Sequence, residues 1–127
     1  MHFNAAHRLY NKEWSDENNE DVFGKCNNPY YHGHNYELEI KVIGKINPLT
    51  GFVVDVKELK RIVNEKVIDQ FDHKNLNVEV PDFQSLNPTV ENIAKVIYDK
   101  ILPELGEELE LKITLYETPR NYAEYPA

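Results

Sequence analysis

The sequence holds a single cysteine in its 127 residues. No disulfide can close within the chain, which points to a reducing compartment and hence to the cytoplasm. No apolar run comes near the ~20 residues of a membrane-spanning helix. The opening Met1-His2-Phe3-Asn4 lacks the basic start and apolar stretch of a secretory signal, so no membrane partner is expected. Positive charge is in deficit: 14 Lys and Arg face 22 Asp and Glu, a formal net charge of −8. That balance argues against nucleic acid or anionic lipid as a partner, because both attract cationic surfaces. An anionic small substrate would need local cations or a metal to receive it. Internal repeats and low-complexity tracts are also missing. What is present, 41% hydrophobic and 28% charged residues, is a globular composition. The length suits one domain over residues 1–127 with a full core.

Hydrophobic periodicity divides that domain into strands and helices. Met1 to Leu9 reads as an opening strand with Phe3, Ala5, His7 and Leu9 on one face. Ser15 suits the N-cap of a short helix through Asp21, with Val22 and Phe23 tucked inward and Gly24 ending it. A long strand begins near His32: Tyr36, Leu38, Ile40 and Val42 alternate with Glu37, Glu39 and Lys41, the pattern of a half-buried antiparallel strand. Asn47-Pro48-Leu49-Thr50-Gly51 is a turn, and Phe52 to Asp55 is expected to return as the next strand. Asp55, with Glu58 three residues on, opens a helix to Gln70 whose apolar stripe is Val56, Leu59, Ile62, Val63 and Val67. Residues 71–77 form a polar loop. Asn87 as cap and Pro88 at the first position open a second helix, which buries Val90, Ile93, Ala94, Ile97, Ile101 and Leu102 and stops at Pro103. Leu109 to Glu117 alternates as the last strand, and the tail from Thr118 is expected to be loose. The order predicts an α+β fold, a four-stranded antiparallel sheet with two helices on one face. Its edges and bare face leave surface for association with further copies.

Chemistry concentrates in Cys26-Asn27-Asn28-Pro29-Tyr30-Tyr31-His32-Gly33-His34-Asn35-Tyr36. His32 and His34 project from one strand face, and Gly33 between them removes bulk. A His-x-His pair alone is as readily two surface histidines. His7, on the inward face of another strand, makes it more, because three neutral imidazoles suit zinc and leave its fourth position open. Cys26 read alone is a small buried hydrophobe; in its polar loop, near a zinc and a histidine, it could become a thiolate base or nucleophile. Asp72-His73 is either two ordinary loop residues or a carboxylate orienting an imidazole as a general acid/base. Glu117 is either a strand-end surface charge or a carboxylate holding a guanidine-like N–H pair in a bidentate bond.

Taken together, these residues resemble the 6-pyruvoyl tetrahydropterin synthase family. The resemblance is carried by Phe3-Asn4-Ala5-Ala6-His7-Arg8, Gly24-Lys25-Cys26-Asn27-Asn28-Pro29, His32-Gly33-His34-Asn35-Tyr36, Asp72-His73-Lys74-Asn75-Leu76, Pro88-Thr89-Val90-Glu91-Asn92 and Tyr116-Glu117-Thr118, in the family's order and across almost the whole chain. It implies a T-fold whose trimers close a barrel and stack in pairs as a homohexamer. It implies that His7, His32 and His34 bind Zn2+, that Cys26 takes a proton from the substrate side chain, and that Asp72–His73 relays protons. Glu117 would anchor a pterin ring, helped by Thr89 and Glu91 across a subunit boundary. The implied substrate is 7,8-dihydroneopterin triphosphate, converted to 6-pyruvoyl tetrahydropterin with loss of triphosphate. The sister activity, 6-carboxytetrahydropterin synthase of the queuosine pathway, uses the same substrate and also releases acetaldehyde. The five residues between Cys26 and His32 resemble the pyruvoyl enzymes, since the sister group has a shorter gap. A zinc- and pterin-binding protein without turnover would have no use for Cys26, Asp72 and His73. Two departures bear on substrate detail: Tyr30-Tyr31 replaces smaller residues, and Val90 replaces a second threonine beside Thr89.

Overall fold

Alternation of apolar and polar residues builds the sheet in the computed structural model, which describes residues 1–127 of the chain. The strands are β1 (His2–His7), β2 (His32–Ile43), β3 (Lys74–Asn75), β4 (Glu110–Thr118) and β5 (Asn121–Tyr125). They lie in the order β3-β1-β2-β4-β5. β2 is the spine, antiparallel to β1 with Phe3 opposite Tyr36, and antiparallel to β4 with Leu38 opposite Leu115. β5 adds to β4 antiparallel, whereas β3 runs parallel to β1 over two residues. Strand parity sends Phe3, Ala5, Tyr36, Leu38, Leu111, Ile113 and Leu115 to one face, where all are buried. Phe3 stacks on Tyr36 at 4.9 Å between ring centres, and Phe71 meets Phe3 edge-on at 5.7 Å.

The helices are α1 (Asp16–Phe23), α2 (Val56–Val63) and α3 (Val90–Ile101). Ile62, Val63 and Val67 from the α2 region join Ile93, Ala94, Ile97 and Ile101 of α3 in one cluster with the apolar sheet face. α2 continues through a π turn (Asn64–Ile68) into Asp69–Phe71, which carries the chain to the sheet edge. No helix is long and apolar enough to cross a membrane.

Several expectations are corrected. The sheet is five-stranded and mixed, not four-stranded and antiparallel. Phe52–Asp55 does not pair as a strand: Phe52 O accepts from Asn47 N at 2.8 Å, which keeps the segment in a local loop. The tail is not loose, because Ala123 and Tyr125 alternate inward against the core and form β5 on the free edge of β4. β1 stops at His7, before Leu9, because the side-chain amide of Asn77 takes both Arg8 backbone groups, at 2.8 and 2.9 Å. Val22 and Val56 are exposed rather than buried; α1 is held instead by the buried Asn19, whose amide binds the backbone of Asn11. Glu58 pairs with Arg61 instead of closing a capping box. The cap of α3 is Thr89, not Asn87: Thr89 Oγ1 accepts from Asn92 N at 3.2 Å, while Asn87 Oδ1 accepts from Tyr10 N.

Candidate metal centre

The register of β1 against β2 decides where the histidines go. His7 lies opposite His32, and Ala5 opposite His34, with His7, His32 and His34 all of inward parity. Ring centres are 4.5 Å apart for His7 and His32, and 5.0 Å apart for His7–His34 and His32–His34. β4 continues the same parity from Leu111, Ile113 and Leu115 to Glu117. Its Oε1 lies 3.3 Å from His7 Nε2 and 3.1 Å from His34 Nε2. One donor atom from each of His7, His32, His34 and Glu117 lies within 4.8 Å of the others.

The hydrogen bonds around His7 leave this cluster able to receive a cation. His7 Nδ1 is 2.7 Å from the Pro88 carbonyl oxygen, which can only accept, so the proton of the neutral ring sits on Nδ1. Nε2 is then a lone pair turned toward a carboxylate oxygen, two acceptors at 3.3 Å with nothing between them. His7 Nε2, both ring nitrogens of His32 and His34 Nε2 are buried without a hydrogen-bond partner. Orphaned nitrogens this close together are costly unless a proton or metal satisfies them. Burial, with the other imidazoles adding to it, holds His32 below its ordinary value. His34 is likewise lowered, chiefly by burial, against the opposing pull of Glu117. Both are thus kept in the neutral form that binds metal. Once the imidazoles are protonated, a hydrogen bond from His7, followed by the charges of His34, His7 and His32, holds the Glu117 carboxyl below its ordinary value. Three imidazoles and a carboxylate are donors that suit zinc or a neighbouring divalent ion.

Tyr36 closes the inner side. Its hydroxyl is 3.3 Å from His7 Nδ1 and fully buried, and burial, then Glu117, holds the phenol far above its ordinary value and so neutral. Sequence reasoning gave neither Tyr36 nor Pro88 a role. The first was within reach, being two residues beyond His34 on the same face; the second depends on how α3 docks, which no local pattern records.

Cys26 lies in a 3-10 turn, Gly24–Asn27, directly after α1. Two bonds tie the turn to the residues after His7: Leu9 N donates to Cys26 O at 2.8 Å, and Arg8 Nε donates to Asn27 O at 2.8 Å. Arg8 Nη2 adds a bond to Asn27 Oδ1 at 3.1 Å. Cys26, His32, His34 and Glu117 line one cavity of about 730 Å3. Burial pushes the thiol above its ordinary value and the Glu117 charge pushes it further, so a cation at the imidazoles is what would favour thiolate.

Asp72 and His73 are elsewhere. His73 Nδ1 is 3.0 Å from Asp72 Oδ2, as adjacency suggested. The pair is tied to the polar side of β1: Asn4 N donates to Asp72 Oδ1 at 2.9 Å, and His73 N donates to Asn4 O at 2.6 Å. The Asn4 N–H, then His73, holds the Asp72 carboxyl below its ordinary value. They line a different hollow with His2, Asn4, Asn35 and Glu37, residues of outward parity. The His73 side chain is 83% exposed. Within one chain they do not meet Cys26. Thr89 caps α3, and Glu91 is exposed in its first turn; neither lines the cavity of the thiol.

The family model described as 6-pyruvoyl tetrahydropterin synthase matches residues 1–127. A 6-pyruvoyl tetrahydrobiopterin synthase of Poecilia reticulata is 45% identical over 123 residues, covering 97% of this chain and 84% of that one. The solved structure of Caenorhabditis elegans 6-pyruvoyl tetrahydropterin synthase matches with a TM-score of 0.92 and 38% identity, covering 98% of this chain and 89% of that one. A 6-carboxy-5,6,7,8-tetrahydropterin synthase of Rickettsia bellii is 30% identical over 142 residues, or 98% of this chain and 94% of that one.

Proposed function

The chain belongs to the 6-pyruvoyl tetrahydropterin synthase family, and we propose that it is a cytoplasmic zinc-dependent lyase acting on 7,8-dihydroneopterin triphosphate. The product is 6-pyruvoyl tetrahydropterin, formed with elimination of triphosphate and internal rearrangement of the side chain. The observation that carries this reading is one cavity lined by a thiol, two imidazoles and a carboxylate, with a third imidazole against them. Identity of 45% to a protein named for the pyruvoyl product, against 30% to one named for the carboxy product, favours the former.

His7, His32 and His34 would hold the zinc, whose chemistry is to polarise substrate oxygens and acidify the adjoining C–H. Pro88 and Tyr36 keep His7 in the tautomer that presents Nε2. Cys26, steadied by Arg8, removes a proton from the substrate side chain. Glu117 accepts the paired N–H groups of the pterin ring. Across a subunit boundary, Thr89 donates a hydrogen bond from its hydroxyl to the ring while a lone pair caps α3, and Glu91 assists from the same turn. Asp72 orients His73 as the proton carrier. Because that pair stands on the other side of β1, it serves the thiol of a neighbouring chain, as in a homohexamer built from two trimers.

The test is incubation of the zinc-loaded protein with 7,8-dihydroneopterin triphosphate, with the pterin product identified and acetaldehyde assayed. Pyruvoyl product without acetaldehyde is expected; acetaldehyde with a carboxy product would replace this reading by the sister activity. Cys26→Ala should abolish turnover while zinc stays near one per chain. Unimpaired turnover in that variant would remove the thiol from the mechanism.

A further inference from the structure

Glu117 is placed where two demands meet. The proposed reading asks it to hold the pterin ring, yet its Oε1 is turned to the imidazoles, at 3.1 Å from His34 Nε2 and 3.3 Å from His7 Nε2. Two donors on one tetrahedral ion, with bonds of about 2.0–2.1 Å, stand about 3.3–3.4 Å apart. Oε1 thus keeps the spacing of a fourth ligand from two of the histidines. With the rings neutral, hydrogen bonding does not account for the position: the His7 proton is spent on Pro88, and neither Nε2 has a hydrogen-bond partner. The Glu117 side chain nevertheless retains 19% exposure and lines the cavity shared with Cys26. It has open space on one side and the imidazoles on the other.

We propose that Glu117 is a displaceable fourth ligand. In the protein without substrate its carboxylate completes the donor set of His7, His32 and His34. When a pterin enters, the ring amino group and its neighbouring N–H offer a bidentate, charge-assisted partner. Glu117 then turns from the imidazoles to the ring. The exchange keeps the fourth position closed to water and stray anions until a pterin is bound, and frees it for the substrate side chain. The inference rests on the proposed function for the identity of the ring; the closed resting site does not.

The coupling this requires is measurable without turnover. If a bound ring takes a ligand from the metal, pterin weakens zinc binding, and by reciprocity zinc weakens pterin binding by the same factor. The probe is pterin itself, the bicyclic ring without the hydroxylated side chain. Its affinity is measured by fluorescence on zinc-loaded and zinc-free protein, and zinc affinity by chelator competition with and without it. We expect about tenfold mutual weakening in the wild type. In cobalt-substituted protein, pterin should change the visible bands that report coordination. Glu117→Gln, checked for folding by circular dichroism, should weaken zinc about tenfold or more and lose the mutual weakening. If pterin binds and zinc affinity is indifferent to it, the exchange is wrong and the proposed function stands. No pterin binding at all would sink the proposed function and the exchange with it, leaving the cobalt spectra of wild type and Glu117→Gln to decide the resting site. Unaltered zinc affinity in a folded Glu117→Gln would show that Glu117 is not a ligand. The wild-type measurements decide the exchange even if the variant fails to fold.

Discussion

Replacing Thr89 by valine separates what this residue does for the fold from what it does for a ligand. The swap keeps the shape and removes the oxygen that accepts from Asn92 N at 3.2 Å, leaving that N–H unmatched in the first turn of α3. Losing an N-cap oxygen costs about 1 kcal/mol. Unfolding entropy of about 2.1 cal/mol/K per residue over 127 residues converts that into a fall in Tm of about 4 °C. The loss does not stay local. Pro88, one residue earlier, supplies the carbonyl that fixes the His7 proton at 2.7 Å, so a frayed α3 start should also weaken zinc binding, by about tenfold. Melts recorded in chelator isolate the first effect, and chelator competition measures the second. Thr89→Ser should recover both. Thr89→Asp restores the capping oxygen but has no hydroxyl proton, so it should recover Tm while remaining poor in turnover if the ring uses that proton. An unchanged Tm in Thr89→Val would refute the capping argument.

Acidification should destabilise the metal-free protein. His32 and His34 are held below their ordinary value, mainly by burial, so between their folded values and about 6.5 the unfolded chain binds more protons. Stability is therefore greatest above about 6.5 and falls as pH drops through that window; a Tm in chelator that rises from pH 7.5 to 5.5 would contradict it. Below that range Glu117, whose carboxyl is lowered, adds to the loss, because its contribution is present above its unfolded value and disappears as it protonates. Arg8→Gln removes the fork that holds Asn27 beside Cys26. Turnover should fall about 10- to 100-fold from misplacement of the thiol, with zinc content unchanged and Cys26 alkylated faster by iodoacetamide. Equal alkylation and equal turnover would deny Arg8 this role.

Strand parity is a local property, and what it governs was legible. Phe3, Ala5 and His7, then His32, His34 and Tyr36, share a face because side chains alternate, so three converging imidazoles could be inferred once β1 and β2 were neighbours. Glu117 shows where parity stops. Its inward side was readable from Leu111, Ile113 and Leu115, but its meeting with the imidazoles depends on the slide of β4 along β2, with Tyr116 opposite Glu37. Nothing local encodes that slide. Phe52–Asp55 and Asn121–Tyr125 failed in opposite directions for one reason. Short runs near a turn carry too little periodicity, and the available edge of β4 decided which became a strand. The Asp72–His73 pair was readable as a pair, since adjacency suffices, but not as to side. Its side is set by two bonds to Asn4, a residue of outward parity, which turn the acid–base couple away from the thiol. On the proposed mechanism, a thiol and an acid–base pair acting on one substrate from opposite sides of β1 would need two chains. The bare sheet face and the free edge of β5 are the surfaces on which the proposed hexamer would bring them together.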